Sequence, residues 1–398
     1  MSISMRAKNA APSPTLGITA KVKALKAQGK DVIGFGAGEP DFDTPDYIKQ
    51  AAIDALKAGY TKYTPTSGDI DLKDAIIAKL ERDNGLQYDR ANIIVSCGAK
   101  HSLYNLFQAL LDPGDEVIVP APYWVSYPEQ VKLAGGVPVA VETSPDENFM
   151  PSADAIKQHL TSKTRAIILN SPSNPTGGVA SAEQVQDIVK VAADNNLLVV
   201  SDEIYEKLLY EGRKHLSPAS LGKDAFASTI TINGCSKAYS MTGWRIGYLA
   251  SADKELVAAM VRIQDQSTSN PTSIAQKGAV AALKGSDESV EKMRAAFEQR
   301  RNRIVALLNA IPGVTCRMPG GAFYAFPNVS ALYGRRAGEK TIDSSDALAE
   351  HLLESVGVAV VPGSGFGADA YVRLSYATSM ENIERGLERM EAALRKLE

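Results

Sequence analysis

Cysteine is scarce in this chain of 398 residues: there are three, Cys97, Cys235 and Cys316, widely spaced and odd in number. With no CxxC pair, no Cys/His cluster and only four histidines, neither a disulfide framework nor a zinc site is indicated. Thiols used this sparingly suit a reducing compartment. No run of about 18 uncharged apolar residues occurs, so no membrane span is expected. The first ten residues are mixed and polar, without the apolar core of a signal peptide. An excess of one charge is missing too: 43 basic residues against 46 acidic ones leave a net charge of −3, too little to draw nucleic acid or an anionic membrane. No repeat or low-complexity segment is visible. These absences predict a cytoplasmic globular protein in which any acidic ligand is caught by local cations. The length allows two or three folding units.

What the chain does have is a regular alternation. From residue 91, short β-branched runs recur at 93–95, 117–119, 137–141, 166–169, 197–200 and 229–232, with amphipathic stretches such as 103–111 and 182–193 between them. Runs lacking polar alternation suit strands buried on both faces. Their alternation with helices predicts an α/β fold with a mainly parallel sheet, which binds ligands beyond the carboxyl ends of its strands. After about residue 285 the texture changes to a long helix at 290–308, shorter strands at 322–326, 358–361 and 371–375, and helices at 345–355 and 380–397. That pattern reads as a smaller α+β domain. Pro12 and Pro14 mark an extended N-terminal arm that completes it. Thr44 is placed to cap a helix with Pro45 at its first position. The expected division is an arm at 1–45, a large domain at 46–289 and a small domain at 290–398.

Unusual residue groups fall at the predicted strand ends. Asn233-Gly-Cys-Ser-Lys-Ala-Tyr-Ser-Met-Thr-Gly-Trp-Arg-Ile-Gly-Tyr248 follows an apolar run and sets Lys237 among small and aromatic residues, with Arg245 eight positions on. A desolvated lysine becomes a neutral nucleophile able to form a Schiff base, and an arginine fork suits a phosphate. Together they describe a site for a phosphorylated aldehyde such as pyridoxal phosphate. Gly98-Ala99-Lys100 turns from a strand into a helix, and helix N-termini bind phosphate, although such turns are common. Asn174 sits in the Pro-rich turn Ser171-Pro-Ser-Asn-Pro-Thr-Gly177, where its side chain serves either a ligand or the backbone. Asp202 ends an apolar run; it suits a pyridinium nitrogen and equally a helix N-cap. Arg373, alternating in Tyr371-Val-Arg-Leu-Ser375, suits a carboxylate or a surface salt bridge. Trp124 offers a face for a planar ring or a contribution to the core.

Taken in order along the chain, these motifs resemble the class I, fold-type I pyridoxal-phosphate aminotransferases, and within them the bacterial Iβ aspartate aminotransferases. Gly36-Ala-Gly-Glu-Pro-Asp-Phe-Asp-Thr-Pro45, Tyr63-Thr-Pro65, Asp112-Pro-Gly-Asp-Glu-Val117, Pro122-Tyr-Trp-Val-Ser-Tyr127 and Asp202-Glu-Ile-Tyr205 complete the match, which spans nearly the whole length. The resemblance implies a large, mainly parallel seven-stranded sheet flanked by helices, plus a smaller α+β domain. It implies that Lys237 holds the cofactor covalently and moves the substrate proton, that Asp202 pairs with the pyridine nitrogen, and that Tyr205 and Asn174 bind the ring's 3′ oxygen. Trp124 would stack on the ring, and Ser236, Arg245 and the backbone of Gly98, Ala99 and Lys100 would hold the phosphate. Tyr63 would reach the phosphate of a neighbouring subunit, which implies a homodimer with shared sites. Arg373, helped by the backbone near Gly38, would grip the α-carboxylate, and Lys100 the distal carboxylate of an acidic substrate. The implied reaction is ping-pong transfer of the amino group from L-aspartate to 2-oxoglutarate, giving oxaloacetate and L-glutamate.

Two departures stand out. Relatives that also use prephenate carry a basic residue before the Pro-Ser pair, where this chain has Ala11. The segment Asp69-Ile70-Asp71 is more charged than usual. Aromatic, alanine or prephenate aminotransferase activity and a β-lyase are the alternatives within the fold. Outside it, Gly363-Ser-Gly-Phe-Gly-Ala368 loosely fits a dinucleotide fingerprint, but a strand is expected after it rather than a helix. A DNA-binding regulator would need an extension and a basic cluster that this chain lacks.

Overall fold

A computed structural model describes residues 2–398. The central sheet has seven strands: β1 (Ile93–Ser96), β2 (Glu116–Ala121), β3 (Val137–Glu142), β4 (Thr164–Asn170), β5 (Leu198–Asp202), β6 (Thr229–Gly234) and β7 (Gly247–Ser251), in the spatial order β1-β7-β6-β5-β4-β2-β3. All neighbours are parallel except β7, which runs antiparallel to both β1 and β6. The expected mainly parallel seven-stranded sheet is therefore present. β7 is the strand that periodicity missed, because Gly-Tyr-Leu-Ala-Ser holds no β-branched residue to stand out. Its reversed direction matters: its entry end lies at the rim where the other strands exit, so Arg245, two residues before it, faces the same crevice.

Successive residues of each strand enter opposite layers. Val117 and Val119 of β2 pack with Leu103, Leu106 and Phe107 on one side, while Ile118 joins Val185 and Ile188 on the other. The expectation of two buried faces fails only at β3. Val137 is 46% exposed there and Pro138 sits within the strand, as suits an edge with a partner on one side only.

The C-terminal part has its own core. The helix Glu288–Asn309, the strands Tyr324–Ala325 and Val372–Ser375 and the helix Met380–Leu394 bury Phe297, Ile304, Phe323, Leu374 and Leu387 together with Ile33 and Phe35 from near the N-terminus. Ile33 pairs in parallel with Val358.

Two local expectations are corrected. The arm is largely helical rather than extended: Pro14–Ala27 forms a helix, with the Ser13 hydroxyl accepting from the Leu16 N–H and Pro14 at the first turn. Thr44 does not cap the helix Asp46–Lys57, whose N-cap is Pro45. The Thr44 hydroxyl is buried, donates to the Ser240 carbonyl at 2.6 Å and accepts from Trp244 Nε1 at 3.0 Å, and those tertiary partners outcompete the cap. Among the described residues no helix is long and apolar enough to cross a membrane.

Candidate active site

A cavity of about 490 Å³ opens at the carboxyl ends of the sheet strands. Lys237, Asp202, Tyr205, Asn174, Arg373, Trp124, Gly38, Ala99, Lys100, Ser236 and Arg245 all line it, while Gly98 stands at its edge behind Arg245. Of the residues given a site role in the sequence, Tyr63 alone lies apart, 90% exposed.

Asp202 is the last residue of β5, 4% exposed, and pairs in register with Asn170 on one side and Ile232 on the other. Its carboxylate accepts from the Tyr127 hydroxyl at 2.7 Å and the Ile204 N–H at 3.3 Å. No helix follows it, so the N-cap reading is set aside. Among the described residues no cation pairs with it. Burial pushes its pKa up to about 6, against the pull of the Tyr127 phenol. A carboxylate kept this dry needs a cation from a ligand.

Lys237 lies in the loop after β6. Its Nζ donates to the Gly38 carbonyl at 2.6 Å, and its remaining accessible surface faces the cavity. Enclosure by protein pushes its pKa down to about 8, opposed by Glu39 and assisted by Arg245. The amine is thus partly neutral near physiological pH, as nucleophilic attack on an aldehyde requires.

Arg373 is 1% exposed on the strand Val372–Ser375. Its Nη1 donates to Asn174 Oδ1 and its Nη2 to the Gly36 carbonyl, each at 2.9 Å, while its Nε has no partner. The guanidinium stands 4.5 Å from the Tyr324 ring and 5.2 Å from the Phe366 ring. It pairs with no carboxylate among the described residues, so the surface salt bridge is excluded and a buried cation awaits an anion. Asn174 is set by a turn with cis bonds before Pro172 and Pro175, and its N–H donates to Asn170 Oδ1 at 2.8 Å.

The remaining wall is an anion cradle. The helix Ala99–Leu110 begins at Gly98 with no side-chain cap, so its first N–H groups are open to a ligand. Gly98 has φ +91°, and a Cβ there would lie 2.4 Å from Arg245 Nη2. Arg245 is itself held by the carbonyls of Thr242 and Cys97. Lys100 Nζ lies 4.8 Å from the Trp124 ring, and burial, then Arg245, lowers its pKa. An open helix N-terminus with a fixed arginine, an uncompensated carboxylate and a partly neutral amine fit the phosphate, ring nitrogen and aldehyde of pyridoxal phosphate.

Sequence reasoning missed several members. Asn170 links β4 to the Asp202 carbonyl at 2.9 Å. Tyr127 and Glu39 lie within motifs of the resemblance but carry no role there, and Tyr324 stands in an apolar run that nothing marks. The arm contributes Ser13, Thr15, Leu16 and Thr19 to the cavity wall, whereas Ala11 lies outside it, its N–H donating to Glu129 at 2.9 Å. The Asp69-Ile70-Asp71 departure acquires a role. Asp69 accepts from the Tyr60 hydroxyl and Lys277 Nζ, both at 2.7 Å, and Lys277 also reaches Asp71 at 2.6 Å. This clamp fixes the loop that presents Tyr63. Gly363–Phe366 is a short 3-10 turn with no helix after it, which removes the dinucleotide reading.

The profile of the family described as aminotransferase class I and II matches residues 30–390. An aspartate aminotransferase from Bacillus sp. (strain YM-2) is 54% identical over 387 residues, 97% of each chain. Another, from Geobacillus stearothermophilus, is 55% identical over 390 residues, 98% of each chain. The crystal structure of the aspartate aminotransferase from Rhizobium meliloti superposes with a TM-score of 0.96 at 42% identity, covering all of both chains. The chain belongs to the class I and II aminotransferases.

Proposed function

We propose that this protein is a pyridoxal-phosphate-dependent aspartate aminotransferase that passes the amino group of L-aspartate to 2-oxoglutarate in two half-reactions, releasing oxaloacetate and then L-glutamate. One observation carries the reading: a single cavity holds a partly neutral amine, a buried carboxylate without a cation and a buried guanidinium without an anion. Bound pyridoxal phosphate supplies an aldehyde that condenses with amines and a protonated ring that withdraws electrons. Asp202, held by Tyr127, would pair with that ring nitrogen and keep its proton. Ser236, Arg245 and the N–H groups of Ala99 and Lys100, with Gly98 giving close approach, hold the phosphate. Trp124 would cover the ring, and Tyr205 and Asn174 would donate to its 3′ oxygen. Lys237 would hold the cofactor's aldehyde carbon through Nζ, and its free amine would take the proton from the substrate Cα. Arg373 and the backbone at Gly38 fix the α-carboxylate, which sets that proton before Lys237.

Lys100 is the cation left for a second carboxylate, which favours aspartate and glutamate over aromatic or neutral amino acids. The large unit, 46–289, carries the cofactor groups, and the small unit, 290–398 with the arm, carries Arg373. Closing one on the other would exclude water. Tyr63, 90% exposed in the segment between Tyr60 and Asp69, whose side chains are hydrogen-bonded, would enter a neighbouring copy, so the working form is a cytoplasmic homodimer with shared sites. The test is keto acid release from aspartate, phenylalanine, alanine and cystathionine with 2-oxoglutarate as acceptor. Aspartate should lead; faster release from phenylalanine or alanine would overturn the acidic specificity. No release from any of the four, with the cofactor supplied, would overturn the activity.

A further inference from the structure

Tyr205 and Tyr324 place their hydroxyl oxygens 2.7 Å apart, both buried. Tyr324 belongs to the strand paired with that of Arg373, in the register Ser375 with Tyr324, and its ring lies 4.5 Å from the guanidinium. Among the described residues neither hydroxyl has another hydrogen-bond partner. A phenol has one proton. If Tyr205 spends it on the cofactor's 3′ oxygen, any further bond must be accepted, and Tyr324 is the hydroxyl in reach to donate it. A phenol that accepts becomes a better donor, because hydrogen bonds in a chain polarise one another.

We propose that Tyr324 is a positioning residue with two separable parts: its hydroxyl donates to Tyr205 and directs that phenol's proton to the cofactor, and its ring face supports Arg373 for the substrate carboxylate. The inference rests on the assignment of Tyr205 to the cofactor oxygen. The other charged groups lining the cavity are Asp202 from β5, Lys237 and Arg245 from the loop after β6, Lys100 from the helix after β1, Glu39 from the N-terminal segment and Arg373 from the small-unit strand. The variants below leave all of them in place.

The test uses the cofactor-loaded full chain and reads two quantities other than turnover. One is the pH midpoint of the bound cofactor's visible absorption; the other is the affinity for succinate, a dicarboxylate with no amine to react. Weakening the Tyr205 donation at the ring oxygen raises that oxygen's proton affinity, so Tyr324→Phe should raise the midpoint by about half a pH unit and leave succinate binding within about twofold. Tyr324→Leu should add about a tenfold loss of succinate affinity, because the ring is gone. In a Tyr205→Phe background, Tyr324→Phe should shift nothing further. An unmoved midpoint in Tyr324→Phe, with Tyr205→Phe shifted, would overturn the inference and leave the Tyr205 assignment standing. An equal shift in both backgrounds would also overturn it, since the effect would not pass through Tyr205. If Tyr205→Phe itself shifts nothing, the assignment fails and the inference falls with it.

Discussion

Asp202→Asn should stabilise the cofactor-free protein while disabling the loaded one. The carboxylate is buried at the end of β5 with two donors and no cation, and its pKa rises from the ordinary 3.8 to about 6. A folded-state pKa above the unfolded one means that the native protein binds the proton more tightly, so stability falls as pH rises from about 4 to about 6 and stays at its lower level above that window. The full cost is roughly two pKa units, about 3 kcal/mol. Asparagine keeps an oxygen for Tyr127 and Ile204 and removes the charge, so it should recover that amount at pH 8. At pH 5, where the charged form is only partly penalised, about half should be recovered. For a chain of this length the unfolding entropy is roughly 0.8 kcal/mol/K, so the melting temperature at pH 8 should rise by about 3 to 4 °C.

Calorimetry of the cofactor-free wild type and variant at both pH values reads this directly. Adding pyridoxal phosphate should reverse the order, because only the carboxylate gains from a pyridinium, and kcat should fall about a hundredfold or more. A variant no more stable than wild type at pH 8, or one equally stabilised at pH 5 and 8, would refute the account of Asp202 as an uncompensated charge.

Acylation of Lys237 in the cofactor-free protein, followed by mass spectrometry, should rise with pH around a midpoint near 8, whereas an ordinary lysine titrates near 10.5. Arg373→Lys should raise the KM for aspartate by about a hundredfold and leave cofactor affinity within about twofold, because a point charge replaces a two-pronged fork. Asp69→Asn should weaken pyridoxal-phosphate binding measurably through the Tyr63 loop, while Asp71→Asn, at the exposed end of the same clamp, should change stability by less than about 0.5 kcal/mol. Fluorescence titration of the two variants distinguishes these outcomes.

The sheet was legible because six of its strands carry short β-branched runs that recur along the chain between amphipathic stretches, all but β3 largely buried. β7 was not, since a five-residue strand beginning in Gly-Tyr gains its conformation from two neighbours rather than from its own sequence. The helix Pro14–Ala27 has no fully buried residue, and its narrow stripe of Ile18, Val22 and Leu25, packed against Val32, Leu353 and Ala359, was overlooked beside the prolines that suggested an extended arm. In the site, Lys237, Asp202 and Arg373 were legible because a charge at the end of an apolar run is costly without a reason. Tyr324 was illegible, because an aromatic in an apolar strand looks like core until its hydroxyl is seen to meet Tyr205. Thr44 shows the converse: a residue with a good local motif was taken by partners about 200 positions away.

Three of the cavity's charged groups, Lys237, Arg373 and Asp202, share one logic that explains why they are found together. Each is buried in surroundings that disfavour its ionised form: burial lowers the pKa of Lys237 and Arg373 and raises that of Asp202. None is close enough to another to form an ion pair among the described residues, although opposite signs are present in the same cavity. Had Asp202 reached Arg373 or Lys237, the protein would be more stable and the site would be closed to ligands, because each charge would already be satisfied. Tyr127, Asn174, the Gly36 carbonyl and the Gly38 carbonyl prevent that collapse by giving each group neutral partners. The separation leaves room for a molecule that brings a positive nitrogen to Asp202, an aldehyde to Lys237 and a carboxylate to Arg373. The stability lost in keeping the charges apart is recovered as binding energy when such a molecule arrives.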